Sequence, residues 1–408
     1  MKTSDRSSSG SQIVRLKDAL VSTQTTDPRK TPEVTFTYID VSSVDADTLS
    51  IENPSVINGA DAPGRARKNV RRGDVLFATV RPSLRRVAIV PDHLDGAICS
   101  TAFTVLRANP ALLDPSFLYY QVISDDFVCK VSELQRGSSY PAVSDSDVLN
   151  QQLPLPALDE QQRLAGILST IQAAKQAGVA ELRMATQLRS SFLASQIFTS
   201  RFGNQTKPTA YGPIPSHWDL LPIESVCELV IDCPHTTPKF LEQGVLVLRN
   251  FNFRNGDLEL DRAFFTSEPE YELRTQRGRP REGDIALSRE APVGEACIIP
   301  PKMRASLGQR TMLLRPCIEI VTPEFLLGVL YAPEVQAYMN LRSSGVTAPH
   351  LNVADVRRMP IPIPPLDEQH VLSQALSLIR QACRSRRGVV ACMDQLFGAA
   401  LSSLVGAA

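Results

Sequence analysis

The sequence lacks the short signatures through which most enzymes reveal their chemistry. It has no Gly-x-Gly-x-x-Gly or Gly-Lys-Ser/Thr loop to cradle phosphates, no His-Glu-x-x-His zinc helix and no Gly-x-Ser-x-Gly nucleophile turn. An Asn/Asp-Pro-Pro-Tyr/Phe segment of the kind used by amino-methyltransferases is also missing. The five histidines (93, 217, 235, 350 and 370) are isolated, which argues against a triad or a zinc site. The eight cysteines include no Cys-x-x-Cys pair, so reduced and buried thiols are expected. Cys227 and Cys233 beside His235 come nearest to a ligand set, but the spacing is unusual and no bound metal is expected. No apolar run reaches the roughly 20 residues that cross a bilayer, and residues 1–12 are polar and Ser-rich rather than signal-like. A cytoplasmic protein with a disordered segment at 1–12 and no membrane contact is expected. Net charge is lacking as well, with 43 Lys and Arg against 43 Asp and Glu. A neutral total can still hide a basic face.

What is present is a duplication. Residues 154–171 open Pro-Leu-Pro-Ala-Leu-Asp-Glu-Gln, and residues 362–379 open Pro-Ile-Pro-Pro-Leu-Asp-Glu-Gln, at a constant offset of 208. Prolines hold the lead-in extended. An Asp then suits the cap of a helix, and acidic charge suits its positive end. This makes Asp159, Glu160, Gln161, Asp367, Glu368 and Gln369 helix-start residues, whose exposed carboxylates could also dock a partner. Beyond them apolar residues recur at helical spacing: Leu164, Leu168, Ile171, Leu182, Ala185, Leu188 and Leu193, then Leu372, Leu376, Ile379, Val390, Met393, Leu396 and Leu401. Each pattern supports a helix of about 40 residues, near 60 Å long, and each copy is the obvious partner of the other. Gly388 and Gly398 should loosen the end of the second helix.

The remaining chain repeats in outline. Strands are expected at 34–41, 75–80, 87–90 and 103–106, a helix at 115–134, then the helix from Asp159 to about Ser200. A Gly/Pro-rich linker is expected at 201–215. Trp218, the single tryptophan, should anchor the core of a second domain, with strands at 245–251 and 285–288 and a helix at 323–339. The turns Gly73-Asp74 and Gly283-Asp284 correspond, as do the Gly/Ser loops at 136–141 and 344–349. The class is α/β or α+β with a mixed or antiparallel sheet in each domain. The arrangement is domain, long helix, domain, long helix, a pseudo-twofold repeat with the helices antiparallel in a coiled-coil-like spacer.

Basic residues gather at matching places. Arg65, Arg67, Lys68, Arg71, Arg72, Arg81, Arg85 and Arg86 fall within 22 residues that hold one acid, Asp74. Arg274, Arg277, Arg279, Arg281, Arg289, Lys302, Arg304 and Arg310 follow in the second half. Arginine can fork onto a guanine edge or hold a phosphate. Gln135, Arg136, Ser138, Ser139, Tyr140, Gln309 and Thr347 add polar loop residues suited to reading bases, or to stabilising turns.

The duplicated Pro-x-Pro-x-x-Leu-Asp-Glu-Gln helix start, the Gly-Asp-Val/Ile turn and the Ser-Leu-Gly-Gln-Arg-Thr run at 306–311 resemble the specificity subunit of type I restriction-modification systems, from about residue 13 to 404. The resemblance implies target recognition domains at 13–150 and 216–358, each reading half of a bipartite, asymmetric double-stranded DNA site. It implies conserved spacer helices at 151–200 and 359–408 that set the gap and dock two methyltransferase (modification) subunits. Two restriction/translocase subunits can join such assemblies. S-adenosylmethionine, and ATP with Mg2+, would then belong to the partners, with no cofactor and no catalysis on this chain. The first half has Cys99-Ser100-Thr101 where the second has Leu307-Gly308-Gln309, so the half-sites should differ. The rival readings are a protein–protein scaffold and an uncharacterised nucleic-acid-processing enzyme.

Overall fold

Alternating burial along short apolar strands builds each half of the chain. The computed structural model describes residues 12–46, 48–197, 205–234, 236–345 and 349–406, so nearly all of the segment expected to be disordered, residues 1–11, lies outside it, as do His235 and Thr347. The chain forms two compact units, one from residues up to 178 together with 389 onward, the other from 179 to 388.

In unit 1 the elements run β1 (Gln12–Arg15), β2 (Thr35–Ile39), β3 (Ser55–Asn58), β4 (Ala66–Asn69), β5 (Val75–Ala78), β6 (Val87–Ile89), β7 (Ile98–Ser100) and β8 (Phe103–Leu106). Helices α1 (Pro115–Ile123), α2 (Asp125–Ser132) and α3 (Asp145–Leu149), strand β9 (Gln152–Leu155) and the long α4 (Leu158–Ile197) follow. Two small sheets, ordered β3-β2-β7-β4 and β6-β5-β8, form the body. Period-two alternation sends Val75, Phe77 and Val87 to a core shared with the helices, and Leu76, Ala78 and Ala88 to a second core against the first sheet. One pair, β2 with β7, is parallel and the rest are antiparallel, the mixed sheet expected. The helix expected at 115–134 is broken at Ser124, whose hydroxyl caps α2 through the Phe127 amide at 3.3 Å.

Unit 2 repeats the plan after a hairpin, β10 (Thr206–Thr209) and β11 (Gly212–Pro215), which occupies most of the expected linker. It continues through β12 (Asp219–Pro222), α5 (Ile223–Val226), β13 (Cys227–Asp232), β14 (Val245–Leu248), β15 (Phe253–Arg254), β16 (Asp257–Leu258) and β17 (Phe265–Thr266). Then come α6 (Glu268–Arg274), β18 (Ile285–Ser288), β19 (Ala296–Ile298), β20 (Ala305–Leu307) and β21 (Thr311–Pro316). Helices α7 (Pro323–Leu330), α8 (Pro333–Arg342) and α9 (Val353–Arg357), strand β22 (Pro360–Ile363) and α10 (Leu366–Gly406) complete it. Its sheets are β13-β21-β18-β19 and β17-β14-β20, again with one parallel pair, β14 with β20. Trp218 is fully buried and its indole N–H donates to Glu368 at 2.8 Å, the core anchor expected of it.

The two long helices span 40 and 41 residues, and α10 runs unbroken through Gly388 and Gly398. In unit 1 the first half of α4 meets the last part of α10: Lys175 pairs with Asp394 at 2.5 Å, and Gly178 lies against Val390. In unit 2 the other halves meet, with Glu181 on Arg386 at 3.3 Å and Leu193 in one core with Leu372 and Leu376. In each unit the numbers rise along one helix as they fall along the other, so the pairing is antiparallel. Two residues of the expected apolar face turn outward instead, Leu188 at 60 % exposure and Leu396 at 47 %.

The helix starts differ from a simple cap. Both helices begin one residue earlier than expected, so Asp159 and Asp367 sit inside the first turn, exposed to solvent, where they still complement the dipole. The glutamines are fasteners. Gln161 is fully buried, accepts from the Asp114 amide at 2.9 Å, and donates to Leu112 O at 2.9 Å and Pro156 O at 2.8 Å. Gln369 repeats this on Thr322, Ile320 and Pro364 at 2.9, 2.8 and 2.9 Å. Glu160 pairs with Arg163 at 2.6 Å, while Glu368 is occupied by Trp218 and by His217 at 2.8 Å.

Candidate nucleic-acid interface

Each unit carries one rim where strand ends and loops converge. In unit 2 the parallel strands β14 and β20 end together at Leu248 and Leu307, and the Gly308 amide donates to Leu248 O at 2.6 Å. A Cβ on Gly308 would lie 3.0 Å from Leu248 O and from Arg249 Cγ, a tight contact that glycine relieves. The chain then turns through Gln309 and Arg310, and the Arg289 amide donates to Arg310 O at 2.8 Å. Beyond strand β18 comes Glu290, which bridges to His350, and His350 bridges to Ser344. Asn250 donates to Ala291 O at 2.8 Å across the same rim.

Unit 1 keeps this backbone with other side chains. The paired residues of β2 and β7 end at Ile39 and Cys99, the Thr79 amide donates to Ala102 O at 2.8 Å, and Val80 bridges to Ala142, which bridges to Arg136. The Arg81 amide donates to Pro141 O at 2.8 Å, its guanidinium reaches Ser139 O at 3.3 Å and it lies 5.2 Å from the centroid of the Tyr140 ring. Tyr140 is 74 % exposed. Arg65 reaches the same rim through Thr101, whose amide donates to Arg65 O at 2.8 Å. Arg81, Arg85 and Arg310 are non-glycine residues in the left-handed backbone region, where strain tends to mark functional loops.

The loop behind the rim of unit 1 is clamped by charge. Asp147 accepts from the Ser144 hydroxyl at 2.6 Å and amide at 2.8 Å, and from Arg136 at 2.9 Å. The Ser144 bonds first, then Arg136, lower its pKa from 3.8 to about 2. A depressed carboxylate adds stability above its ordinary pKa and loses it as pH falls through the folded value. The protection of the Arg136 and Ala142 amides, taken relative to their intrinsic exchange rate at each pH, should therefore be full at pH 5 and fall between about pH 4 and about pH 2. Asp147→Asn should remove that dependence; an unchanged profile in the variant would contradict the clamp.

Both Gly-Asp turns hold buried ion pairs. Gly73 and Gly283 adopt φ of +81° and +82°, which the turn requires. Asp74 takes both Nε and Nη2 of Arg107 at 2.8 and 2.6 Å, and Asp284 takes Arg315 at 2.8 and 2.8 Å. Burial pushes the Cys99 and Cys227 thiols up to about 12, which keeps them protonated at neutral pH. No group of three or more His, Cys, Asp or Glu that could hold a metal ion occurs among the described residues.

A duplicated mixed-sheet unit, each copy with a polar rim and a long helix, matches a known family. The model of the type I restriction modification DNA specificity domain covers residues 44–179 and 215–384. The chain belongs to that family. Among curated relatives, the specificity subunit of type I restriction enzyme HindI from Haemophilus influenzae is 29 % identical over 28 % of this chain and 26 % of its own length. That of EcoBI from Escherichia coli is 24 % identical over 53 % and 49 %. The chain thus spans about a quarter to a half of these curated relatives. A chain from a structure described for complex assembly and conformational transition of the type I restriction-modification system is 29 % identical, covers 97 % of both chains and gives a TM-score of 0.55.

The cationic residues of this specificity-family chain divide into two groups. Several are bonded to groups of their own unit. Lys68 donates to Phe103 O at 2.7 Å and Asp145 at 2.5 Å, Arg67 pairs with Asp27, and Arg86 donates to Val41 O at 2.9 Å and Val44 O at 2.8 Å. Arg274 and Arg289 are buried, with Nη1 on Thr236 O at 2.9 Å and Leu351 O at 2.7 Å respectively. Gln135 donates to Ser132 O at 2.7 Å. These bonds tie the six to their own unit.

Others remain at the surface in ion pairs: Arg85 with Asp125, Arg277 with Asp232, Arg279 with Glu272, Arg304 with Glu268 and Arg310 with Glu290. Arg71, Arg281 and Lys302 are exposed on turns, as is Arg72, which lies 3.6 Å from Asp92. The rims themselves gather Arg65, Arg81, Arg136, Ser138, Ser139 and Tyr140 in unit 1, and Gln309 and Arg310 in unit 2. Sequence reading overlooked Arg249 and Asn250, which stand outside any basic cluster. No local signal in the sequence marks them: their place is set by the parallel pairing of residues 245–248, whose end defines the rim.

Proposed function

We propose that this chain is the DNA-specificity subunit of a type I restriction-modification complex, each rim reading one half of a bipartite, asymmetric site on double-stranded DNA. The observation that carries this reading is the repeated rim: one backbone register, twice, with different polar and cationic side chains. The recognition domains correspond to residues 13–150 and 216–358, and the helices at 151–200 and 359–408 set the spacing between half-sites. Two methyltransferase subunits dock on those helices; the outward Leu188 and Leu396, with Asp159 and Asp367, supply apolar and acidic contacts for them. S-adenosylmethionine is used by those partners, and ATP with Mg2+ by two restriction/translocase subunits where present. This chain performs no catalysis, and its setting is cytoplasmic.

The test is to map adenine methylation by single-molecule sequencing in cells with and without this chain, its methyltransferase partner being active. A bipartite motif that disappears on deletion is expected. Arg81→Ala should then lower methylation at least tenfold, the size expected when an arginine that touches a base or phosphate is removed. The loop at Ser139 and Tyr140 would lose its anchor in the same variant. An unchanged map on deletion would overturn the reading in favour of a scaffold.

A further inference from the structure

We infer that Arg249 is the residue through which unit 2 reads a guanine, a step that rests on the DNA-reading function proposed above. Its place is set by the fold: it follows the last paired residue of β14 and lies against Gly308 at the start of the Gly308-Gln309-Arg310 turn. Its guanidinium is held by rings rather than by acids. The centroids of Phe251, Phe264 and Phe240 lie 5.0, 5.2 and 5.5 Å from its central carbon, and those rings pack on each other at 4.8 and 5.7 Å.

Aromatic faces orient a guanidinium without consuming its N–H donors. Carboxylates do consume them: Arg310 is spent on Glu290 at 3.0 Å and Arg277 on Asp232 at 2.8 Å. Among the described residues Arg249 has no carboxylate within ion-pairing distance. A positioned fork with free donors on a rim of strand ends is what the two acceptors of a guanine edge, O6 and N7, require. A phosphate could accept the same fork, so the test must separate the two. Unit 1 has Asp40 at the corresponding place, after Ile39 of β2, and its carboxylate caps the Val41 amide at 2.8 Å. An anion there repels the guanine acceptors, so this contact has no counterpart at the matching place of unit 1.

The experiment uses the full chain with its methyltransferase subunits on a library of random-sequence DNA, and reads the methylated motif by single-molecule sequencing. Arg249→Gln should relax one G·C position in one half-site, lowering the preference there roughly 10- to 100-fold. The other half-site and the spacing should stay unchanged. Arg249→Lys, which keeps the charge but not the fork, should relax the same position. A uniform loss of methylation in Arg249→Gln that Arg249→Lys restores, with the motif intact, would assign Arg249 to a phosphate and overturn the inference. An unchanged motif in both variants would overturn it as well. If the unaltered chain yields no bipartite motif, it is the DNA-reading function that fails.

Discussion

Replacing Gln161 by alanine is expected to destabilise unit 1 by about 3 kcal/mol, although the side chain is neutral and lies away from the rim. That magnitude follows from leaving buried polar groups unpaired, at roughly 1–3 kcal/mol each before relaxation. The amide satisfies the Asp114 N–H, where α1 begins, and two carbonyls, Leu112 O and Pro156 O, on the segments entering α1 and α4. It therefore ties the rest of unit 1 to the long helix. Glutamate in its place should be worse, since a carboxylate cannot donate to either carbonyl. The readout is hydrogen exchange and chemical denaturation: protection at Ser116 and Phe117 should fall while that at Phe325, held through the Gln369 copy, stays. Equal loss in both units, or none, would contradict the fastener role.

The second large effect concerns Asp284. Asp284→Ala should cost about 3–5 kcal/mol, the usual range when one partner of a buried ion pair is removed. The Arg315 side chain is only 17 % exposed and would keep its charge without a counter-ion, while the Arg281 amide, now 2.9 Å from the carboxylate, loses its acceptor. Asp74→Ala should behave alike through Arg107. Adding Arg315→Met to Asp284→Ala should recover much of the loss, because an apolar side chain has no charge to desolvate. Failure of the double variant to recover would point instead to the turn geometry at Gly283-Asp284. Thermal melts of the single and double variants decide between the two.

The sequence by itself determined the repeat, six of its strands and the helical segments that follow them. Alternation placed strands at 75–78 and 285–288, and a 3.6-residue period placed both long helices, because these patterns depend on neighbours within a turn or a pleat. The tertiary structure decided what the charged residues do. Arg85 finds Asp125 forty residues away, and Arg289 reaches Leu351 across 62. Gln161 meets partners 47 and 49 residues earlier, so a triplet legible as a helix start proved also to be a fastener. Leu188 and Leu396 obey the helical period yet face outward, since periodicity fixes a face and only packing fixes what covers it. Arg249 carried no local signal at all. Its three rings come from separate segments around β14, and its free donors follow from the absence of a nearby acid among the described residues, a property of space rather than of order along the chain. Local interactions write secondary structure into short windows of sequence, whereas a recognition rim is written by the long-range register of strands.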